Sequence, residues 1–174
     1  MIVKILTPEE WRATRYRLTA FAIRHGDRRL TLQGLSALRS LDPDQLAQEG
    51  LYERNIPNSG SVVAVTLQHG KPVGFAAAVD CGQAACLLVV RPDARGQGIA
   101  GTMMKAMIER CGQLVCHVAA DNPASMAACF RAGMVAVGLS PGPTGKPTLQ
   151  FEGRASGRSL NEGVEAWPSP ASVF

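Results

Sequence analysis

The sequence has no apolar run long enough to span a bilayer, and no apolar leader segment at its N-terminus. It reads as a cytoplasmic chain without a membrane partner. Its five cysteines, Cys81, Cys86, Cys111, Cys116 and Cys129, include no Cys-x-x-Cys pair. An odd count without that spacing argues against a disulfide framework or a zinc site, so reduced thiols and no metal are expected. No internal repeat is visible, and no Gly-Lys-Ser/Thr ends a glycine loop, which removes the Walker-type nucleotide site. Charge of one sign is scarce too: 18 Lys and Arg against 14 Asp and Glu leave a formal +4. So mild a balance suits a site for an anionic ligand and gives no reason to expect nucleic acid.

What is present is enough for one domain with a real core: 174 residues, 46% of them hydrophobic. The chain is organised around residues 87–102. Leu87-Leu88-Val89-Val90 reads as a buried strand that Pro92 ends. Arg95-Gly96-Gln97-Gly98 is a tight turn, and from Ile99 the pattern becomes helical, with Met103, Met104, Met107 and Ile108 on one face. The first turn of a helix has backbone N–H groups without intrahelical acceptors and carries partial positive charge. Glycines ahead of it let a phosphate approach closely, so this stretch is a candidate anion site. Gly96-x-Gly98-x-x-Gly101 has dinucleotide-fingerprint spacing, and Asp121 lies near the distance of that fingerprint's acidic residue. No Rossmann-like strand series accompanies it.

Arg95-Gly96-Gln97-Gly98-Ile99-Ala100 resembles the acyl-CoA loop of the GNAT acetyltransferase superfamily, Arg/Gln-x-x-Gly-x-Gly/Ala, at every position. The Val90-x-Pro92 lead-in is similar to the family's as well. So is the segment from Asn122-Pro123 through Gly133-Met134, which resembles its Asn-helix-Gly-apolar block. The fold implied is α/β (α+β): a mixed, largely antiparallel sheet of about seven strands flanked by helices.

In chain order, residues 1–6 alternate as a first strand. Thr7-Pro8-Glu9-Glu10 starts a helix with a capping box, carrying Trp11, Leu18, Phe21 and Ala22 on one face and ending at Gly26. Leu30, Leu32, Leu35, Leu38 and Leu41 suggest a short amphipathic helix. Asp42-Pro43-Asp44-Gln45 predicts another, carried to about Asn55. By the resemblance, these helices shape the acceptor pocket. Strands at 61–68 and 72–80 are joined by His69-Gly70-Lys71 and followed by the central strand at 84–90. A strand at 114–119, a helix at 123–132 capped by Gly133, and strands at 134–139 and 148–151 complete a domain of residues 1–152. Residues 153–174 are rich in Ser, Gly and Pro and read as a loop or disordered tail. Trp167 and Phe174 would dock it onto the domain or onto a second subunit, which leaves a homodimer open.

The resemblance implies an N-acetyltransferase that takes acetyl from acetyl-CoA and gives it to the primary amine of an acceptor, by direct attack in a ternary complex. Arg95, Gly96, Gln97, Gly98, Ile99, Ala100, Gly101 and Thr102 would bind the pyrophosphate, mainly through backbone N–H groups. Leu88, Val89 and Val90 would line the pantetheine arm, Asn122 and Ser125 would complete the cofactor site, and the Val90 amide would face the thioester oxygen as a preorganised donor.

Two departures bear on turnover. The family often carries a carboxylate on the central strand, but the residues sharing the face of Val90 are Ala84, Cys86 and Leu88. Glu53, with Glu49, Tyr52, Asp80 and His117, remains as a substitute. The family's Tyr acid, seven residues beyond the block's Asn, is here Cys129, a thiol that can donate to a thiolate or simply pack. The alternative function is therefore an acyl-CoA-binding regulatory module. A third reading, an RNA-directed acetyltransferase, has the arginines at 12, 15, 17, 24, 28 and 29 in its favour and the missing Tyr against it.

Overall fold

A computed structural model describes residues 2–27, 30–46, 60–142 and 145–155. Its elements are β1 (Ile2–Ile5), α1 (Pro8–His25), α2 (Leu32–Ser40), β2 (Val62–Gln68), β3 (Lys71–Val79), β4 (Ala85–Val90), α3 (Ile99–Cys111), β5 (Gln113–Ala119), α4 (Pro123–Arg131), β6 (Val135–Pro141) and β7 (Pro147–Arg154). The expected sheet is divided in two. β1-β2-β3-β4 forms one antiparallel sheet, and β5-β7-β6 forms another.

Local chemistry sets most boundaries. The Thr7 hydroxyl accepts from the Glu10 N–H, the Glu10 carboxylate accepts from the Thr7 N–H, and Pro8 occupies the first turn of α1. His69 and Gly70 both have positive φ (51° and 73°), the conformation that a two-residue hairpin needs between right-twisted strands. Gly112 ends α3 in the left-handed region, and so does Gly133 after α4.

The four-stranded sheet buries both faces, so β2 and β3 read as near-continuous apolar runs. Val63, Val65, Phe75, Ala77, Leu87 and Val89 meet α1 and α2. Trp11 is fully buried there, its indole N–H donating to the Leu41 carbonyl at 3.3 Å. On the other face Val62, Ala64, Ala76 and Ala78 meet α3, and the same core runs on through Leu114, Cys116, Val118, Cys129 and Phe151. Gly74 admits α3: a Cβ there would lie 2.9 Å from Ile99 and Met103 side-chain atoms.

The helix expected from Asp42 stops after one turn. Pro43–Gln45 is a short 3-10 turn capped by Asp42, and Leu46 is already extended. Leu46 is buried against the α1–α2 core and bridges to Ser61, whose N–H donates to the Gln45 carbonyl at 3.1 Å. That packing competes with helix propagation and wins. The rest of the predicted helix lies outside the described residues.

The two sheets meet at the turn before β4. Asp80, Cys81 and Gly82 all have positive φ (52°, 50° and 91°), held by Ser61 Oγ accepting from the Asp80 N–H and the Gly60 carbonyl accepting from the Cys81 N–H. A Cβ on Gly82 would fall 1.9 Å from the Val115 carbonyl oxygen, so only glycine permits this approach of the turn to β5. Beyond it no backbone ladder joins β4 to β5 among the described residues. β6 is an exposed edge strand with a register shift between Ala136 and Gly138.

Candidate acyl-donor site

Among the described residues β4 is the edge of its sheet. The Arg91 N–H donates to the Val73 carbonyl at 2.8 Å. Alternation along an antiparallel ladder then turns the N–H groups of Val90, Leu88 and Cys86 away from β3, toward the free edge. The side chains of Leu88 and Val90 pack against the α3 core, and Val89 is buried against α1 and α2. Side chains serve the core while the edge backbone stays available to a ligand.

The loop after β4 leads straight into α3. A 3-10 turn over Pro92–Ala94 is pinned by buried Ala94, and Gly96 and Gly98 follow with φ of 81° and 77°. A Cβ built on either would meet nothing within 4 Å, so the loop faces open space. The first bond of α3 runs from the Thr102 N–H to the Gly98 carbonyl at 3.1 Å, leaving the N–H groups of Ile99, Ala100 and Gly101 without intrahelical acceptors. The Thr102 hydroxyl also donates to the Gly98 carbonyl, at 3.2 Å. Ile99 is buried as the anchor of the helix start. Gly101 serves helix packing, because a Cβ there would touch Arg131 and Ala128 of α4 at 3.4 and 3.5 Å. Gln97 is exposed at the turn. Two cradle glycines, free first-turn amides and an open approach suit the pyrophosphate of an acyl-CoA.

Other predicted residues have different partners. The Arg95 guanidinium is taken up by two backbone carbonyls, of Val90 and His25. Asn122 caps α4, its Oδ1 accepting from the Ser125 N–H at 3.2 Å, so these two residues first of all set the start of that helix. Asp93 pairs with Arg91 at 2.6 Å, and that hydrogen bond holds its carboxyl below the usual range.

Cys129 is fully buried, with its Sγ 3.7 Å from that of Cys116. The hydrogen bond to Cys116 and burial push its thiol well above the ordinary value. A thiol so placed has no exposed surface, which favours packing over the expected role as an acid. Glu53, with Glu49 and Tyr52, lies outside the described residues. Asp80 sits in the left-handed turn at the sheet junction.

His117 stands between Cys116 and Val118, both in the core, and so projects from the opposite face of β5, where it is exposed. Its partner across the ladder is Gln150, whose Nε2 donates to Glu152 Oε1 at 3.1 Å. Gln150 lies within the strand expected at 148–151, and Glu152 lies just beyond its expected end. The alternation of Thr148, Gln150, Glu152 and Arg154 against Leu149, Phe151 and Gly153 was the available signal. Among the described residues no group of three or more His, Cys, Asp or Glu is arranged to hold a metal, and no helix is long and apolar enough to cross a membrane.

Comparisons with known proteins bear on this site. The family profile described as Acetyltransferase (GNAT) family matches residues 18–134. No curated protein matches the sequence. Among solved structures, a chimera of the spermidine N-acetyltransferase SpeG from Vibrio cholerae and hSSAT aligns with a TM-score of 0.55 at 12% identity, over 87% of this chain and 95% of that one. The AAC(6')-Ib enzyme in complex with paromomycin and acetyl-CoA aligns with a TM-score of 0.53 at 15% identity, over 91% and 97%. A GNAT-family acetyltransferase from Bordetella pertussis gives 0.51 at 21% identity, over 86% and 94%. At these identities the likeness is one of fold.

Proposed function

The chain belongs to the acetyltransferase (GNAT) family, and from that premise we propose that it transfers acetyl from acetyl-CoA to a primary amine. The observation that carries this reading is the loop at Gly96 and Gly98, which opens onto the free amides of α3 beside the unpaired edge of β4. The pyrophosphate would lie on the amides of residues 96–101, and the pantetheine arm would pair with the β4 edge as an added strand does. The Val90 amide would then donate to the thioester oxygen as charge develops there.

The amine nitrogen attacks the thioester carbonyl directly. A C–N bond forms, the C–S bond breaks, CoA leaves as the thiolate, and the proton lost by nitrogen passes to a base. For that base we propose His117, exposed on the open face of β5, with Glu53 as the candidate outside the described residues. Cys129 is assigned to packing. The leaving thiolate, of pKa near that of a free thiol at about 8.5, then departs without an enzymic acid. The solved neighbours include enzymes named for spermidine and complexes with aminoglycosides, so polyamines and aminosugars are the first amines to supply.

The regulatory alternative draws on one observation: no carboxylate shares the α3 face of β4, where Cys86, Leu88 and Val90 stand. Thiol release from acetyl-CoA in the presence of pooled amines separates the two. Amine-dependent release supports the enzyme, and tight binding without release supports the regulator. The strand β7 carries the domain past the bound expected at residue 152, to Arg154; we further propose that the residues beyond it, to 174, form a tail, and that the protein acts in the cytoplasm.

A further inference from the structure

Arg95 occupies the first position of the glycine loop, and its guanidinium is engaged by two backbone carbonyls. Its Nε donates to the Val90 carbonyl at 3.1 Å, and its Nη2 donates to the His25 carbonyl at 3.3 Å. Val90 is the last residue of β4, and its carbonyl, like its N–H, belongs to the edge that β3 leaves unpaired. His25 is the last residue of α1, so its carbonyl is one of those the helix cannot satisfy, at the end where the macrodipole favours a cation. The His25 ring packs on Phe21, centroids 4.7 Å apart, and Phe21 is buried in the α1–α2 core. One guanidinium therefore ties the donor loop to two places: the strand end that carries the Val90 amide, and the end of the helix from which the chain runs on to α2.

We propose that Arg95 is a positioning residue that couples occupancy of the donor loop to the C-terminal end of α1 and so to the acceptor side, rather than a ligand of the phosphates. This inference rests on the acyl-donor reading of the loop. The link is exposed, and ordering an arginine costs side-chain entropy of up to about 2 kcal/mol, so the free protein holds it only part of the time. A diphosphate seated on the loop amides fixes the Arg95 backbone and lowers the remaining cost of both hydrogen bonds. Ordering then spreads to the last turn of α1 without any new contact there. The planar fork matters: it reaches two carbonyls at once, which a lysine ammonium at the same place does less well.

Hydrogen–deuterium exchange on the full chain, with and without saturating CoA, tests this on wild type, Arg95→Gln and Arg95→Lys. In wild type CoA slows exchange in peptides covering 95–104 and also in peptides covering 20–27, the latter by about fivefold or more. In both variants the loop peptides stay protected while the protection at 20–27 disappears. Retention of that protection in Arg95→Gln overturns the coupling. Loss of loop protection in both variants overturns it differently, by making Arg95 a phosphate ligand after all. Absence of any protection in wild type refutes the donor reading itself, so the two failures are distinguishable.

Discussion

Replacement of Gly98 by alanine separates backbone strain from ligand exclusion. Gly98 has φ of 77°, and a Cβ there meets no protein atom within 4 Å. The variant therefore creates no clash within the protein. Holding an L-residue in the left-handed region costs roughly 1–2 kcal/mol. Part of that is offset because alanine narrows the unfolded ensemble by about 0.4–1 kcal/mol. The net loss is about 1 kcal/mol, a fall in Tm of about 2–4 °C for a chain of this size. Gly133 is the matched control, with φ of 80° and equally open surroundings, at the end of α4. Gly133→Ala should show the same fall in Tm and unchanged acetyl-CoA affinity. Gly98→Ala should match it in Tm but weaken acetyl-CoA at least about tenfold, or 1.4 kcal/mol, because its methyl occupies the space in front of the loop amides. Calorimetric titration of both variants reads the difference. Equal affinity for acetyl-CoA in the two would refute the assignment of the loop.

Gly82→Ala should destabilise by more than about 3 kcal/mol or prevent folding, since its Cβ would meet the Val115 carbonyl oxygen at 1.9 Å; chemical denaturation measures this. Cys129→Ala should cost about 1 kcal/mol of stability and leave the rate of thiol release unchanged. A large fall in kcat with a normal melt would restore Cys129 as the acid. Thr66→Val should leave Tm unchanged or raise it, because among the described residues the Thr66 hydroxyl is buried without a hydrogen-bond partner; a drop of several degrees would mean the hydroxyl is satisfied in solution. The Lys4 ammonium and the Thr7 N–H hold the Glu10 carboxyl below its ordinary value of 4.5. Its contribution to stability is therefore present above that value and lost as pH falls through the lowered one. Melts of Glu10→Gln should show a flatter acid limb than wild type below about pH 4.5.

The strand, glycine turn and helix start of the proposed donor site were legible in the sequence because their physics is local. Glycines at 96 and 98, a proline closing β4 and an apolar helical face from Ile99 state a strand, a cradle and a helix start within sixteen residues, and the structure places each there. The capping box did the same for the start of α1 and Gly133 for the end of α4, whereas the Asn122–Ser125 cap was not read as one. Features that depend on distant partners were not legible. The helix from Asp42 was read from its cap, but the burial of Leu46 beside Ser61 lies outside that window. No periodicity encodes the division into two sheets or the close approach of the Gly82 turn to Val115. Arg95 illustrates the limit most sharply. Its place in the motif suggested phosphate, whereas its partners are the ends of β4 and α1, one of them seventy residues away.

The central claim is that the Gly96–Gly98 loop and the free edge of β4 hold the acyl donor. Calorimetric titration of the full chain with acetyl-CoA tests it most directly. One site of micromolar affinity is expected, about −8 kcal/mol, weakened in Gly98→Ala and unchanged in Gly133→Ala. No heat of binding at millimolar acetyl-CoA would contradict it.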